Sequence, residues 1–155
     1  MFLQKEDLKN NIYNYQVNDI TEGDDAIVLQ ALQASEDECR SYLAANNKKE
    51  WQDGRLKYDL DAIFSATGTE RNALILSHCI IIAKWHIIDL ANVDILYEQA
   101  KDRYDRTIKY LNQLAKGEIS LDSLPQIKPP VNPDEENTDD TYPFTYGSRE
   151  KFNYE

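Results

Sequence analysis

The chain has 155 residues, 28 of them acidic and 17 basic, for a formal net charge of -11. That balance excludes an ordinary phosphate-backbone binder, whose affinity comes from Lys and Arg. It leaves open plain solubility, a passage along which DNA slides without sticking, and imitation of DNA. With 41% hydrophobic residues and ten Tyr, a chain of this length fits one domain that buries roughly two-thirds of its unfolded surface.

Residues 5 to 14 predict a short helix, with Leu8 and Ile12 one turn apart and Asn and Tyr crowding its end. Asp19 to Asp25 then reads as a turn, and Glu22, Asp24 and Asp25 favour a new helix N-terminus. The second helix is expected from about Asp24 to Ala45. Of its two adjacent rows, Val28, Leu32, Ser35, Cys39 and Leu43 form the more apolar one. Residues 46 to 57 break the period and read as a long exposed loop, which Asp53-Gly54 could tip with a short hairpin. Lys48, Lys49 and Trp51 are candidate partner contacts on it, packing of Trp51 onto the domain being the alternative.

Asp59 and Asp61 read as turn and cap residues, and Phe64 as an aromatic anchor. Thr67 and Glu70 have the spacing of a capping box, which predicts a third helix from Gly68 or Thr69 to about Leu90. Its apolar residues cover nearly every face, so it is the central helix or is shared with neighbouring subunits. Its uncharged run, Asn72 to Ala83, is too short for the roughly 20 residues of a membrane span. The fourth helix is expected from about Asp94 to Lys116. Tyr97, Ala100, Tyr104, Ile108, Leu111 and Leu114 form its stripe, Asp102–Arg106 and Asp105–Lys109 its outer ion pairs, and Gly117 its left-handed cap.

All five prolines fall between residues 125 and 143, around the acidic run Asp134 to Asp140. Such a stretch cannot bury enough apolar surface to fold alone, and residues 125 to 141 read as a linker. The final segment, 142 to 155, carries Tyr142, Phe144, Tyr146, Arg149, Lys151, Phe152 and Tyr154. A segment so aromatic docks on its own domain or a partner, where it can add a strand or fill pockets. The expected fold is therefore all-α: a compact bundle of about four helices over residues 1 to 124, with a long loop before the central helix and an extended tail.

Little in the chain suggests chemistry. His78 and His86 on the third helix are about 12 Å apart along the axis, too far to share an ion. His86 and Asp89 are neighbours without the Glu-x-x-His pattern of di-iron bundles. Asp53, Asp59 and Asp61 around Gly54 do not match a calcium loop. Cys39 and Cys79 lack CxxC spacing and read as buried free thiols. The first residues hold no basic region leading into an apolar core, so no secretory signal is expected. No nucleotide, hydrolase or dinucleotide motif occurs. Neither an enzyme, a cofactor nor a metal is expected.

Several segments nevertheless form a pattern: Phe2 to Leu8, Arg40 to Leu43, and Tyr58-Asp59-Leu60-Asp61-Ala62-Ile63-Phe64 continuing through Gly68, Arg71 and Asn72. To these add Asp102 to Asp105, Gly117 followed by Leu124-Pro125, and Phe144 to Lys151. Together they resemble the Mu-type neck family of tailed phages and prophages. Residues 46 to 57 are longer than the family's usual connection. The resemblance implies a small α-helical head-tail connector without catalytic residues, assembled as a ring under the portal, commonly twelve-fold in such necks. It further implies contacts with the portal and with a tail-completion or tail-terminator protein, DNA passing through the bore, and a virion protein made in the bacterial host's cytoplasm. An acidic DNA mimic or inhibitor and a generic bacterial helical adaptor are the alternatives.

Overall fold

A computed structural model describes residues 1–49, 54–91 and 97–128. The described chain is an all-α bundle of five helices: α1 (Asn14–Thr21), α2 (Asp25–Asn47), α3 (Leu60–Ser65), α4 (Ala73–Leu90) and α5 (Tyr97–Lys116), with two 3-10 turns at Lys5–Asn10 and Gly68–Glu70. The long helices α2, α4 and α5 each pack on the other two, while α1 and the first 3-10 turn lie against α2 and α4.

Helix α2 starts where Asp24 accepts the Ala26 N–H at 2.8 Å. The row Val28, Leu32, Ser35, Cys39 and Leu43 is its buried face, with Ala31 and Asn46 alongside. In α4, Ile75, Cys79, Ile82, Ala83 and Ile87 are fully buried. By length and composition α4 would also suit a membrane span, but half of it is buried within the bundle, as befits a core helix apolar on most faces. Helix α5 buries Ala100, Thr107, Leu111 and Leu114. Both cysteines are free and buried, and the Cys39 sulfur beside Cys79, together with burial, pushes the Cys79 thiol well above its ordinary value.

Four expectations need correction. Residues 5 to 10 form a 3-10 turn, and the helix beyond it spans Asn14–Thr21, across the expected break. The weak helix formers Tyr13, Asn14 and Tyr15 are overridden by burial of Val17 and Thr21 on the core. That helix ends in left-handed backbone at Glu22 (φ 52°) and Gly23 (φ 77°).

Thr67 and Glu70 form no capping box: the Thr67 side chain caps nothing, and Glu70 closes a single 3-10 turn on the Thr67 carbonyl at 3.2 Å. The central helix starts five residues later, where Asn72 accepts the N–H groups of Leu74 and Ile75, both at 3.1 Å. Arg71, between the two, has extended backbone, held by side-chain bonds to the carbonyls of Gly68 and Phe2 and to both Asp7 oxygens.

The returning limb of the long loop is not exposed. Arg55, Leu56 and Lys57 are half-buried, and Tyr58 is buried. Residues 125 to 127, given to the linker by composition, are also fastened to the body. Tyr58 and Gln126 form an isolated antiparallel bridge, Asp59 N–H donates to the Pro125 carbonyl and Ile127 N–H to that of Lys57, each at 2.9 Å.

Helix α5 closes as its sequence predicts. Gly117 has φ 76°, its N–H reaches the Leu114 carbonyl at 3.1 Å, and Glu118 N–H reaches that of Gln113 at 3.0 Å. That is the double bond of a Schellman cap.

Candidate functional site

Residues from three of the segments in the neck-like pattern, 2 to 8, 40 to 43 and 58 to 71, meet at one corner of the body. The Phe2 ring meets Phe64 edge-on, with centroids 5.3 Å apart. Arg71 grips Asp7 with two bonds of 2.7 and 3.0 Å and the Phe2 carbonyl with one of 2.9 Å. On the other side, the Arg40 guanidinium from α2 lies 5.7 Å from the Phe64 ring centroid and pairs with Asp61. Residues 2 to 8, 40 to 43 and 58 to 71 thus share one joint. The side chains of Arg71 and Asp7 are only 12% and 15% exposed, so their attraction is weakly screened. The hydrogen bond from Arg71 outweighs burial and holds the Asp7 carboxyl below its ordinary value.

The same motif fastens residues 121 to 127 to the body. Tyr58 is 1% exposed, and its hydroxyl accepts the Leu121 N–H at 2.9 Å. Its own backbone exchanges bonds with the Asn47 side chain at 2.9 and 2.7 Å. Asp59 caps α3 by accepting from Ala62 N–H at 3.1 Å. Asn72, besides capping α4, donates to Ser123 Oγ at 3.0 Å. Arg55 binds the last carbonyls of α5, Ala115 at 3.2 Å and Lys116 at 2.9 Å. Asp59, Asp61 and Phe64 are therefore joint residues.

Of the expected contact residues, Lys48 and Lys49 are exposed at the end of α2. Trp51 and the tail residues Tyr142, Phe144, Tyr146, Arg149, Lys151, Phe152 and Tyr154 lie outside the described residues. So does Asp53 of the loop.

A polar cluster that the sequence did not signal joins the three long helices. Glu38 of α2 takes a bond from Tyr104 of α5 at 2.6 Å and lies 2.8 Å from His86 Nε2 of α4. Burial resists ionisation of Glu38, but these two partners outweigh it and hold the carboxyl below its ordinary value. The same burial and the carboxylate beside it push the Tyr104 phenol up. Trp85 stacks on Tyr104 at 5.3 Å. Satisfied on both sides, the cluster reads as an interhelix register pin.

His78 differs. It is 9% exposed, it stacks on Tyr110 with centroids 4.9 Å apart, and neither ring nitrogen has a hydrogen-bond partner among the described residues. Burial lowers its pKa. It borders a groove of about 450 Å³ between α4 and α5, lined also by Asn11, Ile81, Arg103, Arg106, Thr107 and Tyr110. Among the described residues no three His, Cys, Asp or Glu side chains group to hold a metal ion.

The chain matches no protein-family model, no curated protein and no solved structure.

Proposed function

We propose that the protein is a structural connector subunit of a phage neck, one member of a ring beneath the portal through which DNA passes. The observation that carries this reading is the corner joint. Residues drawn from three separate segments of the neck-like pattern touch one another through Arg71, Asp7, Phe2, Phe64, Arg40 and Asp61. Segments that resemble a family in order, and that also cooperate in space, support a shared fold more strongly than scattered resemblances do. The joint also anchors residues 121 to 127 at Tyr58, Asp59 and Lys57. A firm exit point suits an adaptor whose aromatic segment 142 to 155 docks on a neighbouring subunit or on the portal.

The net charge of -11 supports a bore that repels the DNA backbone and keeps it sliding during packaging and ejection. Deleting residues 140 to 155 should abolish assembly into necks while leaving the helical body folded. Complete neck assembly by the truncated chain would remove the docking role. An acidic DNA mimic would instead capture a DNA-binding enzyme in a pull-down, and a neck connector would not.

A further inference from the structure

A cluster of cations sits on this acidic chain at the groove between α4 and α5. Lys84 Nζ lies 3.3 Å from both the carbonyl and the side-chain oxygen of Asn11, and Arg103 donates to that same side-chain oxygen at 2.9 Å. Arg106, on the next turn of α5, lines the groove beside Arg103. Two strong cations thus share one neutral amide oxygen. Burial, and then Arg103 nearby, makes the Lys84 ammonium easier to deprotonate. Among the described residues the carboxylate paired with this group is Asp102, which holds Arg106 at 2.7 Å and is itself largely exposed. Thr107, Tyr110 and His78 complete a lining rich in donors. A groove that gathers donors and unbalanced positive charge takes carboxylates.

We propose that this groove is a latch site for the acidic run Asp134 to Asp140 of the same chain. The run carries five carboxylates, Asp134, Glu135, Glu136, Asp139 and Asp140, against Arg103 and Arg106 of the groove wall, with the buried Lys84 meeting Arg103 at Asn11. Reach is sufficient: from Lys128, the last described residue before the run, six to twelve extended residues span roughly 20 to 40 Å. A body of this size has a radius of gyration of only about 14 Å. Tethering raises the effective concentration of the run at the groove to about the millimolar range, which favours its own body over a second copy. The latch concerns the isolated protein, and it holds whether or not the chain forms a ring. Its consequence would be to fix the start of the aromatic segment on the α4–α5 side of the body.

The test is a zero-length carbodiimide cross-link on the full chain carrying Arg106→Lys, with peptides identified by mass spectrometry. The expected result is a product joining position 106 to residues 134 to 140. Finding position 106 joined only to Asp102 would overturn the latch. Repeating the reaction on an equal mixture of isotope-labelled and unlabelled protein should give products of unmixed label. Mixed products as the main species would overturn the assignment to the same chain and give the site to a second copy. As an independent check, the five carboxylates are changed to their amides in the otherwise native chain, outside the helical body. Backbone amide resonances of residues 103 to 110 should then shift, and added 0.5 M salt, which cuts the Debye length from about 30 Å in 0.01 M buffer to about 4 Å, should produce the same shifts in the native chain. Unchanged resonances at these positions would overturn the proposal.

Discussion

Arg71 shows how one side chain can set local backbone. Its guanidinium satisfies the Gly68 and Phe2 carbonyls and both oxygens of Asp7, and its own backbone stays extended between a 3-10 turn and α4. Arg71→Ala leaves Asp7 half-buried without its cation and should cost about 2 to 3 kcal/mol in a urea melt. Arg71→Lys should recover less than half of that, because an ammonium cannot supply the planar fork. Titration at three other positions is equally readable. Asp7 and Glu38 lose protons more easily in the folded chain than at their ordinary values of 3.8 and 4.5, and His78 gains one less easily than at 6.5. In each case the unfolded chain takes up the proton first. The contribution of these three groups is therefore full above about pH 7 and falls on acidification, first through His78 and then through Glu38 and Asp7. Melting temperatures measured across this range should fall in that order, and His78→Phe should flatten the portion nearest neutrality. A flat profile down to about pH 5 in the native chain would contradict the burial of an uncharged His78.

Helix ends give the clearest contrast between local pattern and folded outcome. Thr67 and Glu70 have the right spacing for a cap, and Asn72 has no such signature, yet Asn72 starts α4. Spacing specifies which bonds could form; Arg71, drawn to Asp7 and Phe2, decides which do. Asn72→Ala should cost about 1 kcal/mol, and Thr67→Ala less than about 0.5 kcal/mol, in parallel denaturant melts. Equal losses would return the helix start to Thr67. At the other end of α5 the sequence was sufficient, because Gly117 needs only its own positive φ. A Cβ there would approach the Arg55 guanidinium carbon to 2.8 Å, so Gly117→Ala combines backbone strain with displacement of the Arg55 cap. A loss of about 1 to 2 kcal/mol is expected, and Arg55→Ala should reduce the penalty of the glycine change in a double-mutant cycle.

Among the described residues, three long helices are locked by an apolar core and a polar pin, with the short elements packed against α2 and α4. Glu38, His86 and Tyr104 meet from α2, α4 and α5, so Glu38→Ala strips an acceptor from both remaining helices. It should cost more than the sum expected from an exposed carboxylate, about 2 kcal/mol, and Tyr104→Phe should be partly redundant with it.

Helix periodicity was legible because burial acts on residues three and four apart. The Val28–Leu43 row of α2, the all-round apolar α4 and the stripe of α5 each record it, and from them an all-α bundle follows. The identity of the carboxylates, histidines and arginines was equally plain. Their partnerships were not, because they depend on which residues 48 to 66 positions apart in the chain meet. Asp7 with Arg71, Glu38 with His86 and Tyr104, and Tyr58 with Leu121 are encoded by no local spacing, and the groove of His78, Arg103 and Arg106 needs two helices and Asn11 to exist at all. Short-range geometry is fixed within a few residues of chain, whereas charge pairing and the seating of residues 121 to 127 on the body are set by packing across it.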